Sequence, residues 1–220
     1  MLKLTKKDSF YTYFWIFFIG SIFGFIYESI LSYFQFGYVI NKQELIFGPF
    51  MPVYGIGAIF LFYISKRVKS VTMTFILSFF IGSFVEFFYS LLQENLFGTL
   101  SWDYSDSPFN LQGRITLIYS LGWGFLGIIS CKIILPAINK FISNFPKEQS
   151  IITTWILVIF MIFNITITTI ALYRQKQRYF NIPPFNFISE VIDKYYPDKK
   201  MDNIFQNHKK KYIVQSTFSN

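Results

Sequence analysis

Five long apolar stretches constrain what this chain can fold into. They lie at about residues 10–35, 47–65, 72–96, 115–135 and 151–173. A helix needs roughly 20 apolar residues to cross a hydrocarbon core of about 30 Å. Because lipid offers no partners for backbone N–H and C=O groups, such stretches must be helical. The sequence therefore predicts an all-α fold, a polytopic transmembrane helical bundle with about five spans.

The composition agrees with a membrane location. Of the 220 residues 53% are hydrophobic and only 15% are charged, whereas soluble domains carry roughly a quarter charged residues. The net charge of +8 is then better matched to anionic lipid headgroups than to nucleic acid. The single Cys131 excludes an internal disulfide and a cysteine-based zinc site.

The β-branched run of residues 165–169 lies inside the fifth stretch. In water such a run would favour a strand. In a bilayer a single strand leaves its backbone groups unpaired, so we expect this run to be helical.

We divide the chain into a transmembrane domain, residues 1–173, and a basic tail, residues 174–220. After Pro183 and Pro184, apolar residues recur at helical spacing and predict a short amphipathic helix lying on the membrane surface. These residues are Phe187, Ile188, Val191, Ile192 and Tyr195. The only histidine, His208, is expected to be solvated, and the Lys209–Lys211 run to be mobile.

Basic residues near the span ends favour an N-terminus on the inside of the membrane. They are Lys3, Lys6 and Lys7 before the first span and Lys66, Arg67 and Lys69 after the second. Five spans then place the tail outside, although Arg174 and Arg178 follow the last span directly. The alternative is that the segment beginning at Gly48 enters the membrane and returns, because two prolines disturb its helical hydrogen bonding.

A weak internal repeat relates the first two spans to the next two. Ile-Gly-Ser occurs at residues 19–21 and again at 81–83, and Gly-x-Gly occurs at 55–57 and at 122–124. This order favours two parallel helix-pair repeats followed by a fifth span. Chance similarity between two Phe/Ile-rich helices is the alternative.

Two carboxylates lie within predicted spans and share a helix face with small residues. Gly20, Gly24 and Glu28 are spaced by four, as are Gly82 and Glu86. Small residues allow helices to approach closely, so both glutamates are expected to point between helices. An acidic side chain at mid-bilayer costs roughly 2.5–3.5 kcal/mol and is a candidate functional group. The predicted helix-packing residues are Gly20, Gly24, Gly82 and Gly122.

Arg114 opens the fourth span and is the expected partner of both glutamates, since an arginine can bind a carboxylate through two hydrogen bonds. The three residues either form a clamp between helices or line a polar cavity that binds a substrate or an ion. The cavity hypothesis comprises Glu28, Glu86, Arg114, Tyr54, Asp103 and Asn110. No spacing of metal ligands is present, so no metal and no cofactor is expected.

The order of several motifs resembles the bacterial family of ABC transporter permeases of the CmpB type, also called ABC-transporter type IV. The motifs are Gly-Phe-Ile-Tyr-Glu ending at Glu28, Phe-Gly-Pro-Phe-Met-Pro at 47–52, Trp-Asp-Tyr-Ser at 102–105 and Phe-Asn-Leu-Gln-Gly-Arg ending at Arg114. The resemblance covers about residues 15–140. It implies a membrane subunit that works with a separate ATPase.

Three functions remain open at this point. The first is a permease-like transport subunit of the bacterial cytoplasmic membrane, in contact with lipids, a separate ATP-binding subunit and further copies of itself. The second is a membrane-embedded enzyme acting on a lipid or cell-envelope precursor, with Glu28 or Glu86 as general base and Arg114 binding a phosphate. The third is a non-catalytic assembly or regulatory protein. The chain has no phosphate-binding G-x-x-x-x-G-K-[ST] loop and cannot hydrolyse ATP by itself.

Overall fold

A computed structural model describes residues 10–144 and 147–211, without the side chains of residues 142–143 and 147–150. The basic residues Lys3, Lys6 and Lys7 lie outside the described residues. The side of the membrane on which the N-terminus lies therefore stays a prediction.

The described chain is an all-α bundle, as predicted. Its helices are α1 (Phe10–Phe36), α2 (Pro52–Arg67), α3 (Val71–Phe97), α4 (Leu117–Ile129), a π-helical turn (Ser130–Ile134), α5 (Leu135–Ser143), α6 (Lys147–Tyr179), α7 (Phe187–Tyr195) and α8 (Asp198–Ile204). Four helical stretches are long and apolar enough to cross a membrane: Phe10–Phe36, Val71–Phe97, Leu117–Phe141 and Ile151–Tyr179. The chain is a multi-pass membrane protein.

The β-branched run 165–169 lies within α6 and is helical throughout, which confirms that prediction. Two short antiparallel strand pairs are the β-structure of the described chain. Strand β1 (Thr99–Leu100) pairs with β4 (Lys209–Lys210), and β2 (Asn110–Leu111) pairs with β3 (Ile115–Thr116).

The second predicted span differs most from the structure. Its helix, α2, has 16 residues and is therefore about 24 Å long, and residues 37–51 before it are irregular. This irregular segment lies against α6, where Asn164 Oδ1 accepts a hydrogen bond from Phe47 N at 3.1 Å and Thr168 Oγ1 accepts one from Ile46 N at 3.0 Å. Non-helical backbone at membrane depth requires such internal partners. Whether α2 and this segment together complete a fifth crossing stays a prediction.

The four helices of the proposed repeat form two antiparallel pairs. In the first pair, the rings of Tyr13 on α1 and Phe62 on α2 lie 5.9 Å apart. In the second pair, Ser83 Oγ on α3 and Ser120 Oγ on α4 are hydrogen-bonded at 2.7 Å. The repeat itself remains a prediction, because two similar pairs can also arise independently.

The tail folds back onto the bundle. Ile192 of α7 is buried in a cluster with Ala171 and Leu172 of α6 and with Met201 and Phe205 further along the tail. Phe187 and Ile188, in the first turn of α7, are exposed. The predicted amphipathic helix therefore exists, and its position on the membrane surface stays a prediction.

The basic residues after the last span are neutralised within the protein. Arg174 donates to both oxygens of Asp193, at 3.1 and 2.6 Å, and Arg178 donates to Asp193 Oδ1 at 2.5 Å. Arg178 also pairs with Asp198 at 2.6 Å. Because these charges are matched locally, they carry less weight as topology signals than their position in the sequence indicates.

Residues 209–211, at the end of the described chain, pair with the loop after α3, contrary to the prediction that they are mobile. Lys209 and Lys210 form strand β4, and Lys211 N donates to Gly98 O at 2.9 Å. His208 stacks on Phe205 with ring centroids 4.8 Å apart. Burial of the imidazole lowers the pKa of His208, so the expectation of a solvated histidine was wrong.

Acidification is expected to release the tail through Asp193. Burial acts to raise the pKa of Asp193, but hydrogen bonds from Arg174 and Arg178 outweigh it and the pKa is lowered. Because the pKa is lower in the folded tail, the ionised carboxylate stabilises this fold at any pH above the unfolded pKa of about 3.9. The stabilisation is lost as the pH falls below that value and through the folded pKa. A spin label attached at the exposed Ile188, in a Cys131→Ser background, should become mobile as the pH falls below this unfolded pKa.

The matched variant for this experiment is Asp193→Asn. It should make the label mobile already at neutral pH, because charge-assisted hydrogen bonds worth about 2 kcal/mol are lost. A label that stays immobile in Asp193→Asn at neutral pH would show that the ion pairs do not hold the tail.

Candidate functional site

A cavity of about 400 Å³ opens among α1, α2, α3, α4 and the segments that connect them. Its charged lining residues are Glu28, Lys42, Glu86, Asp103 and Lys209. Segments 37–51, 98–116 and 204–211 meet at this end of the bundle, which we call the loop end. Residues far apart in the sequence therefore share one polar site.

Glu28 lies on α1, in the last third of the helix, and its carboxylate contacts both a phenol and a lysine. Tyr54 Oη donates to Glu28 Oε1 at 2.6 Å, and Lys42 Nζ lies 3.8 Å from Glu28 Oε2. Tyr54 reaches Glu28 because its ring packs directly on Gly24, one turn earlier on α1. The side chain of Glu28 is 19% exposed and faces the cavity.

Glu86 on α3 is buried, and both of its oxygens accept hydrogen bonds from neutral groups. Tyr104 Oη donates to Oε1 at 3.1 Å, and Trp123 Nε1 donates to Oε2 at 3.0 Å. Burial and the neighbouring Glu86 raise the pKa of Tyr104, so its phenol remains a donor. Within the described residues, Glu86 has no ion pair.

Arg114 does not bind the two glutamates, and the predicted pairing is corrected here. Its guanidinium pairs with Glu94, two turns beyond Glu86 on α3, and Nη1 donates to Ser90 Oγ at 3.2 Å. Arg114 is 8% exposed and does not line the cavity. The predicted clamp of Glu28, Glu86 and Arg114 is not formed; the ion pair instead joins Glu94 of α3 to Arg114 in the turn before α4.

The loop between α3 and α4 contains the two remaining predicted site residues. Asp103 lines the cavity, accepts hydrogen bonds from Ser105 N and Oγ at 3.1 and 2.6 Å, and lies 3.7 Å from Lys209 Nζ. Burial acts to raise the pKa of Asp103, but Ser105 and Lys209 lower it. Asn110 instead stabilises the turn, since its Oδ1 accepts from Gly113 N at 2.9 Å.

The predicted packing glycines lie in two kinds of environment. A Cβ atom built on Gly20, Gly24 or Gly82 would fall within 2.3–2.7 Å of a side chain on the facing helix. Gly122 instead borders the cavity, and among described residues no atom lies within 4 Å of its Cβ position. The close contacts of α4 occur at Gly124 and Gly127, so the packing role predicted for Gly122 is corrected.

Sequence reasoning missed several residues of the site. Lys42, Tyr104 and Trp123 contact the two glutamates, and Tyr104 belongs to a motif that carried the family resemblance. Glu44 was also missed; it is 3% exposed and accepts a hydrogen bond from Tyr89 Oη at 2.8 Å. It borders a second, mostly apolar cavity of about 370 Å³ between α2, α3 and α6.

The site can accept hydrogen bonds and positive charge, and it offers phenol and indole donors. Among the described residues no group of His, Cys, Asp and Glu could hold a metal ion.

The sequence model of a family described as "Putative ABC-transporter type IV" matches residues 15–169, and thus continues beyond residue 140 into α6. No curated protein and no solved structure matches the chain.

Proposed function

This chain belongs to the ABC-transporter type IV family, and we propose that it is the membrane-embedded, permease-like subunit of a transport system in the bacterial cytoplasmic membrane. The observation that carries the proposal is the cavity at the loop end, into which Glu28 and Glu86 face from two different helices. Ligand cavities of about 300–1,000 Å³ with few polar groups are typical binding sites. We place the substrate there.

We propose that a separate subunit supplies the energy. The chain has no phosphate-binding loop of the G-x-x-x-x-G-K-[ST] type, in which backbone N–H groups and a lysine bind the nucleotide phosphates. We therefore propose a partner with that loop. Purification in mild detergent followed by identification of bound proteins should recover a nucleotide-binding subunit, and a preparation that consistently lacks one would contradict the proposal.

The envelope-enzyme hypothesis loses support from the position of Arg114. It required this guanidinium to bind a phosphate beside Glu28 or Glu86. Arg114 is occupied by Glu94 and Ser90 and lies outside the cavity lining. The remaining cations of the lining, Lys42 and Lys209, are each paired with a carboxylate.

Neutralising the two cavity carboxylates should abolish function without unfolding the chain. We expect Glu28→Gln and Glu86→Gln each to reduce restoration of transport in a strain lacking this protein at least tenfold, because the substrate loses about 1.4 kcal/mol or more of interaction at the site. Glutamine keeps the size of the side chain, so expression and thermal stability should be retained.

The control is Glu190→Gln, which makes the same change on the exposed face of α7. It should restore transport fully. If the two cavity variants fold normally and also restore transport fully, the cavity is not the substrate site.

A further inference from the structure

Aromatic rings form much of the cavity wall. Seven of its lining residues are aromatic: Tyr27, Phe36, Tyr54, Trp102, Tyr104, Tyr119 and Trp123. They come from α1, α2, α4 and the loop between α3 and α4. An aromatic ring carries negative charge density on its face and attracts a cation placed within about 6 Å.

The rings lie close enough together to act on one ligand. The centroids of Tyr54 and Trp123 are 5.5 Å apart, and those of Tyr27 and Tyr54 are 6.0 Å apart. Tyr54 and Trp123 also hydrogen-bond the two carboxylates, Glu28 and Glu86. The aromatic surface and the acidic groups are therefore parts of the same site.

The charge of the wall is unbalanced toward the negative. Its carboxylates are Glu28, Glu86 and Asp103, and its ammonium groups are Lys42 and Lys209. Lys42 lies near Glu28 at 3.8 Å and Lys209 near Asp103 at 3.7 Å. Glu86 is left with neutral partners, Tyr104 and Trp123. A buried carboxylate without a cation is costly, so a ligand that supplies positive charge would be favoured.

The pairing of Lys42 with Glu28 shows that this wall accommodates an alkylammonium group. Their separation of 3.8 Å is longer than a charge-assisted hydrogen bond, which measures about 2.7–2.9 Å. Lys42 therefore holds Glu28 weakly and could be displaced. Lys42 lies in the irregular segment 37–51, where its side chain is 19% exposed.

We propose that the cavity binds a small organic cation with an alkylated ammonium group. Its charge is balanced by Glu86 and, after displacement of Lys42, by Glu28, while its alkyl groups pack on Tyr54, Trp123 and Tyr27. This inference rests on the proposed function and names its substrate class.

Binding can be measured on the full chain in detergent or nanodiscs through tryptophan fluorescence, because two of the four tryptophans, Trp102 and Trp123, line the cavity. The probes are choline and tetramethylammonium, with dimethylbutanol as the neutral carbon analogue of choline. We expect saturable binding of both cations and at least tenfold weaker binding of the neutral analogue, since only charge separates it from choline.

Two variants should change the affinity for choline in opposite directions. Glu86→Gln should weaken choline binding at least tenfold, whereas Lys42→Met should strengthen it severalfold by removing the competing ammonium. Glu190→Gln, outside the cavity, should leave binding unchanged. If Glu86→Gln does not fold, the comparison of choline with its neutral analogue on the unmodified chain decides by itself.

Equal binding of choline and the neutral analogue, or no binding of either cation, would overturn the inference. The proposed function is tested separately by the nucleotide-binding partner. A co-purifying ATPase subunit together with absent cation binding would retain the transport role and reject the substrate class. Cation binding without such a subunit would retain the site and reject the ABC-type transport role.

Discussion

Replacing Arg114 by alanine is expected to lower the free energy of unfolding by about 3 kcal/mol, the lower end of what breaking a buried ion pair costs. Arg114 is 8% exposed and pairs with Glu94, whose side chain is 23% exposed. Among the described residues, its removal leaves a poorly solvated carboxylate with only Lys211, at 3.5 Å, as a cationic partner. It also removes the hydrogen bond to Ser90.

The cost should be visible as a lower midpoint of unfolding in mixed micelles, followed by circular dichroism. Arg67→Ala is the matched control, because this arginine is exposed and stacks on Tyr63 at the end of α2. It should cost less than about 1 kcal/mol, the usual worth of an exposed cation–π contact.

A double substitution separates the two sources of this cost. Arg114→Met combined with Glu94→Leu removes both charges and keeps apolar volume, and such replacements are often close to neutral. The double variant should therefore be more stable than Arg114→Ala alone. If both variants lose the same stability, neither the unpaired Glu94 charge nor packing of the arginine stem is the cause, and the lost hydrogen bond to Ser90 would account for the loss.

The position of Arg114 also shows where sequence reasoning reaches its limit. Spacing by four residues places Glu86, Ser90 and Glu94 on one face of α3, so all three are candidates to face α4. Which of them contacts Arg114 depends on where the β2–β3 turn places Arg114 along the length of α3. Asn110 and Trp102 hydrogen-bond to the backbone of this turn, and the conformation that they stabilise cannot be read from the spacing of residues on α3.

The fold class was predictable for a different reason. A bilayer admits few backbone conformations, so apolar length alone determined α1, α3 and α6. The irregular segment 37–51 escaped prediction because its partners, Asn164 and Thr168, lie more than 110 residues away in the sequence. The buried position of His208 was not predicted for the same reason, since it depends on pairing of the tail with β1.

The carboxylates of the site were found because each shares a helix face with glycine. The aromatic partners of these carboxylates were not predicted. Tyr54 packs on Gly24 and Trp123 packs on Gly82, so each glycine leaves room for the aromatic partner. A glycine one turn before an acidic residue marks the place where a large side chain from the next helix can reach that acid. This relation links helix packing to the site.

Replacing Gly82 by valine is accordingly expected to disrupt the α3–α4 contact, with a loss of about 3 kcal/mol, the upper part of the usual range for overpacking. A Cβ at this position would lie 2.4 Å from Trp123 Cγ and 2.6 Å from Trp123 Cβ. No rotamer of Trp123 moves its own Cβ, so relief requires separation of the helix backbones. The gain in helix propensity over glycine, well under about 1 kcal/mol, is too small to compensate.

Separation of α3 and α4 would also withdraw Trp123 Nε1 from Glu86, to which it donates at 3.0 Å. Gly82→Val should therefore lower both the thermal midpoint and the fluorescence response to choline. The control is Gly122→Val on α4, where the added atoms meet open space among the described residues; it should keep the thermal midpoint and affect ligand binding alone. If the two variants have equal thermal midpoints, Gly82 does not form a close contact with Trp123. The hydrogen bond from Trp123 to Glu86 would then not require a glycine at position 82.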